Sequence, residues 1–185
     1  FFLTSMARQV VVAVAQLTSK GNTALNFENC ERIIKAASNA GAKFLALPEG
    51  FHFIGSHYTQ SLKVAEPLDG PTITKYRELA KHTSMWLSLG GFQEVGPDPE
   101  HVYNSHIIVD DKGNINSVYR KLHLFDVNVP NGPILLESRF TAPGNDIVVT
   151  DSPIGRLGLS TCYDLRFPEL YCNMVYENGA NVLLV

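Results

Sequence analysis

Cysteine is scarce. The chain holds three in 185 residues, an odd number with no Cys-x-x-Cys pair, which excludes a disulfide framework and a zinc-ligand set. A reducing compartment such as the cytoplasm fits this usage. Long apolar runs are also absent. None approaches the roughly 20 residues needed to cross a bilayer, and Phe1-Phe2-Leu3 is too short for a signal-peptide core. No charge sign dominates: 15 Lys and Arg stand against 18 Asp and Glu, for a net charge of -3 and a pI near 6.1. That balance gives no electrostatic pull towards nucleic acid or an anionic membrane, so small neutral or anionic molecules are the expected partners. Internal repeats, low-complexity tracts and linkers are missing too, and one domain is the economical reading.

What is present is a hydrophobic share of 45%, enough for a sizeable core at this length. The chain does not begin with Met. Residues 1–8 are expected to be a leader or tail around Met6, ahead of a domain over 9–185; loss of a longer leader would allow a mitochondrial or plastid form. At the other end the chain stops inside the apolar run Asn181-Val182-Leu183-Leu184-Val185, which reads as a strand in mid-course. A fragment is expected.

The apolar, β-branched stretch Gln9 to Leu17 predicts a buried central strand. Asn26 opens a predicted helix to about Ala40 with Phe27, Cys30, Ile33, Ile34 and Ala37 on one face, and Gly41 closes it. Lys43 to Leu47 is the next strand, broken by Pro48-Glu49-Gly50. Glu49 thereby falls beyond the carboxyl end of a strand, where open α/β sheets place their chemistry. A helix near Thr72 to His82 and a strand Met85 to Phe92 follow. Val102 to Asp110 and Asn114 to Tyr119 flank the hairpin signal Asp111-Lys112-Gly113, which leaves Lys121 just past a strand end. Leu122 to Pro143 has no period but is too apolar for disorder, and it is expected to wall a pocket. Strands at Ile147 to Thr150 and Arg156 to Thr161 precede a helix over Phe167 to Glu177. Cys162 occupies the strand-to-helix turn, a place that presents nucleophiles.

Glu49, Lys121 and Cys162 form the candidate chemistry. A free thiol titrates near 8.5, so Cys162 needs a neighbouring ammonium or base to supply thiolate at neutral pH. Lys121 and Glu49 are candidates for both. An ammonium about 4 Å from developing negative charge is worth up to about 4 kcal/mol at an effective dielectric of 20. Cys30 and Cys172 read as small buried hydrophobes.

Pro-Glu-Gly, Tyr-Arg-Lys-Leu-His-Leu and Cys-Tyr-Asp-Leu-Arg-Phe-Pro-Glu-Leu, in this order and separation, resemble the carbon-nitrogen hydrolase (nitrilase) superfamily from Met6 onward. The resemblance implies an α/β fold, an α-β-β-α sandwich truncated here at its C-terminal end. It implies a catalytic triad of Glu49, Lys121 and Cys162, and places Glu137 where it helps position substrate and lysine. The backbone N–H of Tyr163 would join Lys121 in holding an oxyanion. No metal or organic cofactor is implied. Family members assemble as dimers or larger homo-oligomers. Within the superfamily, Trp86 to Glu94 and Arg166 to Leu170 look most like the branch that hydrolyses deaminated glutathione. The implied reaction cleaves the amide of a small 2-oxo acid through a cysteine thioester, with release of ammonia. The ω-amidase branch, acting on α-ketoglutaramate, shares the triad, and a non-catalytic scaffold is the rival from another class.

Arg139 and Arg166 are each able to bind a substrate carboxylate bidentately, although Arg166 is also spaced to pair with Glu169. His52, His57 and His123 lack metal-ligand spacing. Phe51, Phe53 and Phe125 suit either a pocket lining or the core.

Overall fold

The computed structural model describes residues 9–185, so the expectation for residues 1–8 lies outside the described residues. The chain opens with β1 (Val12–Val14), α1 (Thr23–Asn39) and β2 (Phe44–Leu47), then α2 (Tyr58–Val64), α3 (Pro71–Thr83) and β3 (Trp86–Val95). A hairpin of β4 (Val102–Val109) and β5 (Ile115–Arg120) follows, then the short pair β6 (Asp126–Asn128) and β7 (Ile134–Leu136). β8 (Val149–Ser152), β9 (Gly155–Leu159), α4 (Pro168–Cys172) and β10 (Val182–Leu184) complete the order.

Two main sheets result. One holds five strands in the order β1-β2-β3-β4-β5, with β1, β2 and β3 parallel and β4 and β5 antiparallel in sequence; the other has the order β10-β9-β8. Period-two alternation explains how the sheets stack. In β2, Leu45 and Leu47 pack with Cys30 and Ile34 of α1 and Tyr76 of α3, whereas Phe44 points the other way, towards Leu157 and Leu159 of β9. Ile107 and Val109 of β4 join the helical side while Ile108 joins the inter-sheet side. On the outer face of the small sheet, Leu170 and Met174 cover Val149. Helices, sheet, sheet and helix therefore form four layers, the α-β-β-α arrangement expected.

Three local expectations are corrected. β1 is the edge of the five-stranded sheet rather than a central strand: Ala13, Ala15 and Leu17 pack inward, but Val12 and Val14 are exposed. Its low polarity hid that alternation because both faces carry apolar residues. α1 begins at Thr23, capped by the Asn22 side chain on the Leu25 N–H, and Asn26 lies buried inside it, its amide donating to the carbonyls of Lys20 and His52. The predicted helix over Phe167 to Glu177 is a short α4 followed by a π turn at Asn173–Glu177, and this leaves Cys172 exposed while Cys30 is buried as expected.

The topology matters for the site. β5 runs parallel to β3, since each is antiparallel to β4. The carboxyl ends of β2 and β5 thus meet one edge of the sheet, which is where Glu49 and Lys121 follow.

Candidate active site

Lys121 is 2% exposed although it lies one residue past a strand. Its backbone N–H donates to the Asn104 carbonyl, which continues the β4–β5 ladder by one step and turns the side chain inward. The ammonium then lies 2.9 Å from Glu137 Oε2 and 3.8 Å from Glu49 Oε1. Burial by itself would push the Lys121 pKa down, but Glu137, Glu49 and Cys162 together hold it above the usual lysine value. Lys121 is a permanent cation between two carboxylates.

Glu49 is brought there by a bulge. β3 carries one extra residue against β4 between Leu89 and Phe92, and Gly91 at its centre adopts φ +69. A Cβ on Gly91 would lie 2.5 Å from Glu49 Cγ and 2.9 Å from its Cα, so only glycine lets Glu49 approach this closely. Gly91→Ala is expected to cost about 1–3 kcal/mol through the left-handed backbone alone and to lower kcat by displacing Glu49. Urea unfolding and steady-state kinetics on the same sample check both effects. Asn104 completes the support, its amide donating to Glu49 Oε1 at 2.7 Å.

Cys162 arrives from the second sheet. It leads a 3-10 turn over Cys162–Arg166 and adopts φ +52, a left-handed conformation rare outside glycine. The turn is fixed by Asp164, which is fully buried. One carboxylate oxygen accepts from the Tyr119 hydroxyl at 2.6 Å and the Thr161 N–H at 2.9 Å; the other accepts from the His123 N–H at 3.0 Å and His123 Nδ1–H at 2.7 Å. Tyr119 and His123 straddle Lys121 in sequence. One buried carboxylate therefore ties the thiol-bearing turn to the ammonium-bearing one. A second tie is His106, whose Nδ1–H donates to the Ser160 carbonyl at 2.9 Å while Nε2 accepts from Ser88 at 2.7 Å. Burial holds this imidazole's pKa low, as a neutral bridge requires.

The Cys162 thiol keeps solvent contact, yet its pKa is pushed up to about 11, chiefly by partial desolvation and then by the negative charge of Glu49, with Lys121 opposing. The raised value favours the protonated thiol, and Glu49 is the neighbouring base placed to take its proton. Tyr163 follows in the first turn, where N–H groups have no intrahelical partner, and its ring meets Phe125 edge-on at 5.0 Å.

A cavity of about 570 Å³ opens beside the cluster, lined by Glu49, Asn104, Phe53, Leu136, Arg139 and Phe140 among others. Cys162 and Lys121 are not among its lining residues; Glu49 and Asn104 belong to both cavity and cluster. The unpatterned Leu122 to Pro143 stretch does form one wall. Phe51 lies in the core, and His52 is buried against Phe92. His57 caps α2, and Arg166 is exposed with no ion pair to Glu169 among the described residues. No group of three or more His, Cys, Asp or Glu able to hold a metal ion occurs among the described residues. Sequence reasoning missed Asn104, Asp164 and His106. Asp164 was the most accessible of them, sitting two residues after the cysteine in a turn that needs a carboxylate anchor.

A four-layer sandwich sets a thiol, an ammonium and a carboxylate at the adjoining edges of its two sheets. The chain belongs to the carbon-nitrogen hydrolase family, whose pattern matches residues 11–185. It is 46% identical over 181 residues to deaminated glutathione amidase of Dictyostelium discoideum, covering 94% of this chain and 62% of that protein. The human deaminated glutathione amidase is 40% identical over 177 residues, covering 94% of this chain and 54% of the relative. The crystal structure of the Caenorhabditis elegans NitFhit protein superposes with a TM-score of 0.85 at 40% identity, over 93% of this chain and 42% of that one. The chain thus spans 54–62% of the length of the deaminated glutathione amidases it matches.

Proposed function

We propose that the full-length protein is an amidase that cleaves a carbon-nitrogen bond of deaminated glutathione, with Glu49, Lys121 and Cys162 as its catalytic residues and Glu137 and the Tyr163 N–H assisting. The observation that carries this reading is the buried Lys121 ammonium, gripped by Glu137 and 3.8 Å from a second carboxylate that abuts the Cys162 thiol. Burying such a group costs free energy that a binding scaffold has no reason to spend.

Glu49 takes the thiol proton as sulfur attacks the amide carbonyl, so a neutral thiol and an anionic base are consumed together. The resulting oxyanion is held by Lys121 and the Tyr163 N–H. Glu49 returns the proton to nitrogen, the C–N bond breaks and a thioester remains. Water, deprotonated by Glu49, attacks the thioester carbonyl, and collapse restores the thiol. Deaminated glutathione carries no primary amide, so its leaving group is an amine; ammonia is the product only with a primary amide such as α-ketoglutaramate. Residues 9–185 would then be the larger part of one hydrolase domain, which pairs with copies of itself in the full-length protein. Exposed Leu165, in the same turn as Cys162, supports that pairing. No helix among the described residues is long and apolar enough to cross a membrane.

The test is kcat/KM of the full-length protein on deaminated glutathione and α-ketoglutaramate, since discrimination is the ratio of those values. A ratio of ten or more for deaminated glutathione is expected. A ratio below one would assign the ω-amidase reaction instead, and no turnover of either would favour the scaffold.

A further inference from the structure

The cavity beside the triad carries a charge asymmetry. Among the described residues, Glu49 and Arg139 are its only Asp, Glu, Lys or Arg lining groups, and Glu49 is committed to the thiol. Arg139 is exposed at the rim and forms no ion pair among the described residues. Asp126 feels its charge, but that side chain is already bound by the Ser138 N–H at 3.0 Å and the Ser138 hydroxyl at 2.6 Å.

The turn that bears Arg139 is braced on both sides. Glu137 at its start accepts from Lys121 and from the Phe125 N–H, and Phe140 at its end stacks on Tyr58 of α2 at 5.3 Å and 17°. Tyr58 also lines the cavity, so the turn that bears Arg139 is held beside the opening by a fixed frame. A volume of about 570 Å³ lies in the range that buries a ligand of drug or tripeptide size.

From this we infer that Arg139 forms an anion subsite that selects amides bearing a carboxylate remote from the scissile bond. A substrate carrying an ammonium at that position would meet a guanidinium and no free carboxylate. Where the 2-oxo acid end is the one held, the ammonium of an aminated analogue would lie beside the guanidinium, which selects for the deaminated amide. The subsite rests on the amidase reading for its substrate, and its chemistry fits either the 2-oxo acid carboxylate or the glycyl carboxylate of deaminated glutathione.

The experiment compares full-length wild type with Arg139→Gln and Arg139→Lys on deaminated glutathione with both carboxylates free, with the 2-oxo acid end as a methyl ester, and with the glycyl end as a methyl ester. Masking the recognised carboxylate is expected to lower wild-type kcat/KM at least about tenfold, the scale of one charge-assisted hydrogen bond. The loss should fall on KM and identify which end is bound. Arg139→Gln should show that loss already with the free substrate and no further loss on masking, and Arg139→Lys should lie between because it keeps the charge without the fork. Equal masking penalties in wild type and Arg139→Gln would overturn the subsite. Calorimetric titration of the same compounds into Cys162→Ala, with and without Arg139→Gln, reads binding apart from turnover. Carboxylate-dependent binding lost with Arg139 upholds the subsite even where turnover fails and the amidase reading falls; binding indifferent to Arg139 overturns it.

Discussion

Cys162→Ala is expected to lower kcat by on the order of 10⁶-fold, the scale seen when a covalent nucleophile is deleted from a triad, while leaving the unfolding midpoint nearly unchanged. The turn is held by Asp164 through Tyr119, Thr161 and His123 rather than by the sulfur, whose side-chain partner is the half-exposed Glu49. Backbone strain supplies an independent control. Because residue 162 adopts φ +52, glycine suits it better than any L side chain, and Cys162→Gly should be about 1 kcal/mol more stable than Cys162→Ala in urea. Both variants would be inactive. A dead variant of unchanged or raised stability separates chemistry from folding, and residual activity above the level set by binding alone would reject the nucleophile.

Lys121→Met should act on stability and activity together. Methionine matches the lysine stem but leaves Glu49 and Glu137 facing each other and the thiol without the cation between them. Removing one partner of a buried pair costs about 3–5 kcal/mol; the 38% exposure of the Glu49 side chain lets water relieve part of that, so the lower end is expected. The kcat loss should be about 10²–10³, the cost of one oxyanion donor. A second substitution sorts the two effects. Adding Glu137→Leu removes a stranded carboxylate and should recover stability without recovering turnover. If the double variant regained activity, Lys121 would be a structural counterion rather than the oxyanion's partner.

Much of this arrangement was readable in advance, for a physical reason. Glu49, Lys121 and Cys162 each follow a strand, and strand ends are marked by local chemistry: Pro48 after an apolar run, a hairpin glycine before β5, a polar turn after β9. The alternation that sorts Phe44 from Leu45 into two cores went unread, because both residues are apolar. What escaped were features fixed by partners distant in sequence. Asp164 has meaning only once Tyr119 and His123 are beside it, Asn104 only when the Gly91 bulge delivers Glu49, and His106 only when two sheets stack. The edge position of β1 was hidden by valines on its outer face, and the thiol's raised pKa by a partial burial and a nearby carboxylate that the fold alone creates.

The central claim is that sulfur attacks carbon at a carbonyl and holds the acyl group before water does. Rapid-quench intact mass spectrometry of the full-length wild type during turnover of deaminated glutathione tests it most directly. The account predicts a transient mass increase equal to the acyl fragment, mapped by peptide analysis to Cys162 and lost on exposure to hydroxylamine as a thioester is. Steady turnover with the Cys162 peptide unmodified at every time point, or an adduct carried on another residue, would contradict it.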